Sequence, residues 1–149
     1  MADELSSMRA TVIEKSINIE WLANAIISQH YFGRVKIAFV SEVLYDEYCS
    51  FALKRRVLLK ICPELRGNFE KDLGRINTIR NYFAHCGQQI IEGPDPSGPT
   101  RIPDPKNFAK SIDFAGLYKE FCALEKPIVE QLFAVYKGKG GLADGPSVP

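Results

Sequence analysis

Phe69-Glu70-Lys71-Asp72-Leu73-Gly74-Arg75-Ile76-Asn77-Thr78-Ile79-Arg80-Asn81-Tyr82-Phe83-Ala84-His85 combines an apolar stripe with a polar row. Phe69, Leu73, Ile76 and Phe83, with Ile90 beyond them, fall on or near one side of a helix, so the spacing predicts a helix over about 68–91. Gly74 is only a mild interruption of that pattern. Asn77, Asn81 and His85 are spaced four apart and are therefore neighbours on one helical face. Arg80 and His85 are separated by about 140° around the axis and about 7.5 Å along it. The arginine is long enough to bend toward the same groove. A polar row on an otherwise apolar helix needs partners, which can come from another helix, from water or from a second subunit.

The rest of the chain also reads as helices. From about Glu4 to Phe32, apolar residues recur near a period of 3.6, and Gly33 is the expected stop. Arg34 to Tyr48 reads as a second helix, because the strand-like run Val35–Val40 has no partner of matching strength. Ser50 is placed to cap a third helix over 51–61, and Pro63 closes that helix or opens the next element. Residues 93–105 hold five prolines and two glycines, which predicts a loop. Asp104-Pro105 has the look of an N-cap with proline at the first helical position. A last helix is expected over 114–136, kinked or broken at Pro127, followed by a disordered Gly- and Pro-rich tail, 138–149. The expected fold is all-α, an antiparallel bundle of four to five helices forming a single domain over 1–137.

Composition excludes several classes. With 46% hydrophobic and 25% charged residues, the chain is too apolar for global disorder. A net charge of +1 disfavours constitutive gripping of duplex nucleic acid, but not capture of a single strand in a small basic cleft. The four cysteines form no C-x-x-C pair and the two histidines are far apart, so no metal site and no cofactor is expected. The polar start lacks the basic and apolar regions of a signal peptide, and no apolar run approaches a bilayer span. A cytoplasmic setting with free thiols, away from membranes, is the expectation.

Ile79-Arg80-Asn81-Tyr82-Phe83-Ala84-His85 resembles the R-N-x-x-x-H signature of HEPN domains, including the aromatic-Ala-His ending common among them. The stretch Phe51–Lys60, then Leu65, Leu73 and Ile76, and the opening helix with Ile19-Glu20 and terminal Tyr31-Phe32, are similar to the same family. The resemblance spans residues 10–90, is strongest over 76–86, and is closest to mannitol operon repressor-like and related uncharacterised prokaryotic members. It implies a helical bundle that forms a homodimer and serves as a regulator or interaction module for a protein partner. The alternative it implies is a metal-independent endoribonuclease, a toxin or defence effector paired with an antitoxin, that cuts single-stranded RNA. In that role His85 would be general base or acid, Arg80 the phosphate ligand and Asn81 the residue that orients the pair. HEPN toxins modified by their antitoxin carry a tyrosine two positions after the histidine. Gly87 stands there instead, so regulation by nucleotide transfer is not expected.

Each notable residue also has a plainer reading. Arg80 and His85 could form a buried bridge at a dimer interface. Lys54-Arg55-Arg56 with Lys60 reads as a solvated helix face before it reads as an RNA-guiding patch. Cys86 cannot pair catalytically with His85, because sequence neighbours point to different helix faces. His30 suits the negative end of the first helix, and Trp21 suits a core or interface.

Overall fold

The computed structural model describes residues 2–85, 101–104 and 107–139. Those residues are mostly helical: α1 (Ala2–Phe32), a short α2 (Ile37–Phe39) running into a π-helical turn (Val40–Leu44), α3 (Phe51–Ile61), a 3-10 turn (Pro63–Leu65), α4 (Asn68–His85) and α5 (Phe114–Gly138). Between α4 and α5, β1 (Arg101–Asp104) and β2 (Asn107–Asp113) pair antiparallel, Ile102 opposite Ile112.

The hairpin corrects the expectation for residues 93–105. Residues 101–104 of that stretch are strand, and the remainder lies outside the described residues. In a two-stranded ribbon both strands are edges, so Pro103 can sit in β1 without breaking an interior ladder. The helix start expected at Asp104-Pro105 is also corrected. Asp104 ends β1, and the cap of α5 is Asp113, whose carboxylate accepts the Gly116 N–H at 3.1 Å. Helix α5 then runs unbroken through Pro127 to Gly138, past the expected start of the tail; residues 140–149 lie outside the described residues. The expected extension of α4 over 86–91 lies outside them too.

Other boundaries follow the local chemistry. Gly33 ends α1 at φ 69°, donating to the Gln29 carbonyl at 2.8 Å, the left-handed close that glycine adopts without a Cβ clash. The Ser50 hydroxyl accepts the Leu53 N–H at the start of α3, and Pro63 opens the 3-10 turn. The second helix is shorter than Arg34 to Tyr48. Its entry is fixed by Ser28, wholly buried, whose hydroxyl donates to the Arg34 carbonyl and accepts the Lys36 N–H.

The chain divides into two compact units, residues 1–16 with 75–125 and residues 17–74 with 126–149. In the first, Leu5, Val12, Ile76, Ile79, Phe83, Phe114 and Phe121 are buried, and the rings of Phe83 and Phe114 meet edge to face at 5.0 Å. Polar ties at its margin are Lys15 to Glu125 at 3.1 Å and a two-pronged bond from Arg75 to Glu120 at 2.6 and 2.9 Å.

In the second unit every residue of α1 from Leu22 to Gln29 is buried, so this part of the helix has no outward face. Ile27, Val40 and Leu44 cluster there with Val35, Phe39, Val57 and Ile61 against them. Lys54 is buried as well. Its ammonium sits 2.5 Å from a Glu20 carboxylate oxygen and 4.8 Å from the centre of the Tyr45 ring. Burial pushes the Tyr45 phenol up, and the wholly buried Asn24 side chain partly offsets that. Among the described residues, no helix is long and apolar enough to cross a membrane.

The Arg75–Glu120 pair sets an acid response. The bond from Arg75 holds the Glu120 carboxyl below the usual glutamate range. A carboxyl lowered in the folded state adds stability above its unfolded pKa, and that stability is lost as pH falls through the folded value. Both side chains are about 40% exposed, so solvent screens the pair and it contributes at most about 1 kcal/mol. Glu120→Gln is expected to lower urea-unfolding stability slightly at pH 7. The gap from the parent should close as pH drops below the glutamate range; a gap that persists at pH 3 would refute this assignment.

Candidate active site on the fourth helix

The second half of α4 is held by its apolar side. Ile76, Ile79 and Phe83 are buried, at 1%, 0% and 0% exposure. The polar row turns the other way: Asn77 is half-buried, and Asn81 and His85 are exposed. Asn81 and His85 are one turn apart and share a face, as the spacing predicts. Arg80 is half-buried and already engaged within the fold. The structure therefore places Asn81 and His85 together on an accessible face, and sets Arg80 partly inward beside them. His85 also occupies the last described turn of α4.

One supporting residue carries no signal in the sequence. Arg9, on α1, donates from Nε to the Phe83 carbonyl at 3.0 Å. The bond brings a positive charge to the last described turn of α4, the turn that carries His85. Arg9 lies 74 residues earlier on a polar helix face, and no spacing rule connects the two.

The basic run does not act as one patch. Lys54 points inward to Glu20, so only Arg55, Arg56 and Lys60 remain of the grouping read from the sequence. Trp21 is 38% exposed and meets the Tyr136 ring at 6.1 Å. Cys62 is buried, and burial pushes its thiol up, the wrong direction for a thiolate nucleophile. Cys86 and Gly87 lie outside the described residues. Among the described residues, no three His, Cys, Asp or Glu side chains gather as metal ligands would.

Compared with known proteins, the chain matches no family model, no curated protein and no solved structure.

Proposed function

We propose that this chain is a HEPN-like helical bundle that works as a homodimer and cleaves single-stranded RNA without a metal ion. The observation that carries the reading is the outward Asn81–His85 pair on a helix whose opposite side is locked into a core. A histidine held in the last turn of a rigid helix can reach a substrate proton, whereas a purely structural histidine bridge would be buried.

The chemistry is internal transfer. His85 takes the proton of a 2′-hydroxyl, and that oxygen attacks the adjacent phosphorus. The bond to the 5′-oxygen breaks, and His85 of the second copy protonates that oxygen as it leaves. Arg80 holds the phosphate and stabilises its added charge. Asn81 orients the imidazole or the phosphate. The products are a 2′,3′-cyclic phosphate and a 5′-hydroxyl.

Exposed aromatics support the second copy. Trp21 and Phe133 both pack on Tyr136 yet remain 38% and 44% exposed, with Ile17 one turn before Trp21 also exposed. Contiguous exposed apolar surface of this kind marks interfaces, and two-fold pairing is the commonest way to cover it. The second reading is a regulator or interaction module that binds a protein partner, favoured by the prior engagement of Arg80 within the fold.

The deciding experiment incubates single-stranded RNA with the protein in EDTA, alongside sedimentation at micromolar concentration. Cleavage to cyclic-phosphate ends by a dimer is expected. A preparation that never cuts leaves the interaction module, and a clean 16.7 kDa monomer rejects the composite site.

A further inference from the structure

A groove of about 450 Å³ in the second unit is lined by Ala52, Arg55, Arg56, Leu59, Lys60, Arg66 and Glu70. Four of the seven are cations and one is a carboxylate, in a chain whose net charge is only +1. The groove lining thus carries an excess of three positive charges, more than the whole chain's net charge. Among the described residues, no carboxylate lies within ion-pair distance of these four cations. The burial of Lys54 against Glu20 leaves its two neighbours to define the wall.

The walls are built for this. Arg55 lies over Gly74 of α4, where even a Cβ would collide with its guanidinium. That close approach holds Arg55 against the helix and not free in solvent. Gly67, at φ 95°, makes the turn between Arg66 and α4. Its carbonyl accepts the Lys71 N–H as the first bond of the helix, so Arg66 and Glu70 flank the positive end of the α4 dipole.

We propose that this groove binds the phosphodiester backbone of a single-stranded nucleic acid. Three of its four cations are arginines, whose planar fork matches phosphate oxygens. Arg56 and Lys60 are about 6 Å apart along the axis of α3, close to the spacing of successive phosphates in an extended strand. The lining holds no aromatic ring, so bases have nothing to stack on and the site reads charge, not sequence. That the strand is RNA rests on the endoribonuclease reading; that it is a phosphate chain rests on the groove alone.

The test measures fluorescence anisotropy of labelled oligouridylate and oligothymidylate over a salt series. Oligothymidylate lacks the 2′-hydroxyl, so binding is read without cutting. The chain should bind both alike. Arg56→Glu, Lys60→Glu and Arg66→Glu combined, all at exposed positions, should weaken binding by about tenfold or more. The same variant should flatten the dependence of log affinity on log salt by about two, at about 0.7 per lost phosphate contact. Glu70→Gln should bind more tightly. Lys119→Glu, Lys126→Glu and Lys137→Glu combined should change binding far less, and circular dichroism should show each variant folded. If the triple groove variant fails to fold, single Arg56→Glu and Arg66→Glu variants carry the test through the salt slope.

Equal loss in the groove and control variants overturns the proposal. So does binding of tripolyphosphate or polyglutamate in the groove where neither oligonucleotide binds. RNA cutting that survives loss of the groove charges without weaker binding refutes the groove and leaves the active-site reading standing. Groove-dependent binding by a protein that never cuts does the reverse.

Discussion

Replacing His85 by alanine is expected to slow cleavage of single-stranded RNA by about a hundredfold to ten-thousandfold, the usual contribution of a positioned acid or base. The fold should survive, because the side chain is exposed and surface changes of this kind cost about 0.5 kcal/mol or less. Cutting that persists in His85→Ala would identify a contaminating nuclease and remove the basis for the enzyme reading. Arg80 needs a subtler substitution. It is half-buried and engaged in the fold, so Arg80→Ala would confuse lost chemistry with lost packing. Arg80→Lys keeps the charge and removes the planar fork. A fall in turnover with unchanged melting would assign the fork to the phosphate. Cleavage should not occur where a 2′-deoxynucleotide replaces the attacking ribose, since no nucleophile remains.

Glu20→Ala is expected to be the most damaging single change to stability. The Lys54 side chain is 1% exposed, and Glu20 supplies the opposite charge at 2.5 Å. The Tyr45 ring face adds attraction but no counter-charge. Removing the carboxylate strands a buried ammonium, which costs about 3–5 kcal/mol. For a chain of this size that corresponds to a fall in melting temperature of roughly 10 °C. Glu20→Leu combined with Lys54→Met should recover most of the loss, because two apolar side chains of similar volume need no charge partner. Urea denaturation of the two variants against the parent measures this. A loss under about 1 kcal/mol in Glu20→Ala would show that water reaches Lys54 and that the pair is not buried in solution.

The local signals in the sequence were legible wherever one residue's own chemistry decides the outcome. Gly33 stops α1 and Ser50 caps α3 because a left-handed turn and a hydroxyl acceptor are properties of those residues alone. The stripe Phe69, Leu73, Ile76 and Phe83 is buried as its spacing requires. The polar row beside it was readable for the same reason, since helical geometry alone makes Asn81 and His85 neighbours.

The features hidden from the sequence depend on tertiary partners or on a choice between equal signals. Asp104-Pro105 carries a stronger helix-start signature than Asp113-Phe114, yet pairing of residues 101–104 with 107–113 delays the helix by nine positions. Lys54 looks like one member of a basic run, and only Glu20, 34 residues away, draws it inward. Arg9 and the Phe83 carbonyl are further apart still. The buried polar residues of α1 have a similar cause. From Leu22 to Gln29 all its sides are covered, so Asn24, Ser28 and Gln29 occur where a one-sided helix would show solvent.

That enclosed length of α1 has a kinetic meaning. Its backbone amides are shielded by neighbours on every side and bonded within the helix, so fraying at a surface cannot expose them. Their protons can trade with solvent deuterium only when the surrounding unit opens as a whole. The slowest-exchanging amides of that unit should therefore fall between Leu22 and Gln29, and their exchange rate should report its global opening equilibrium.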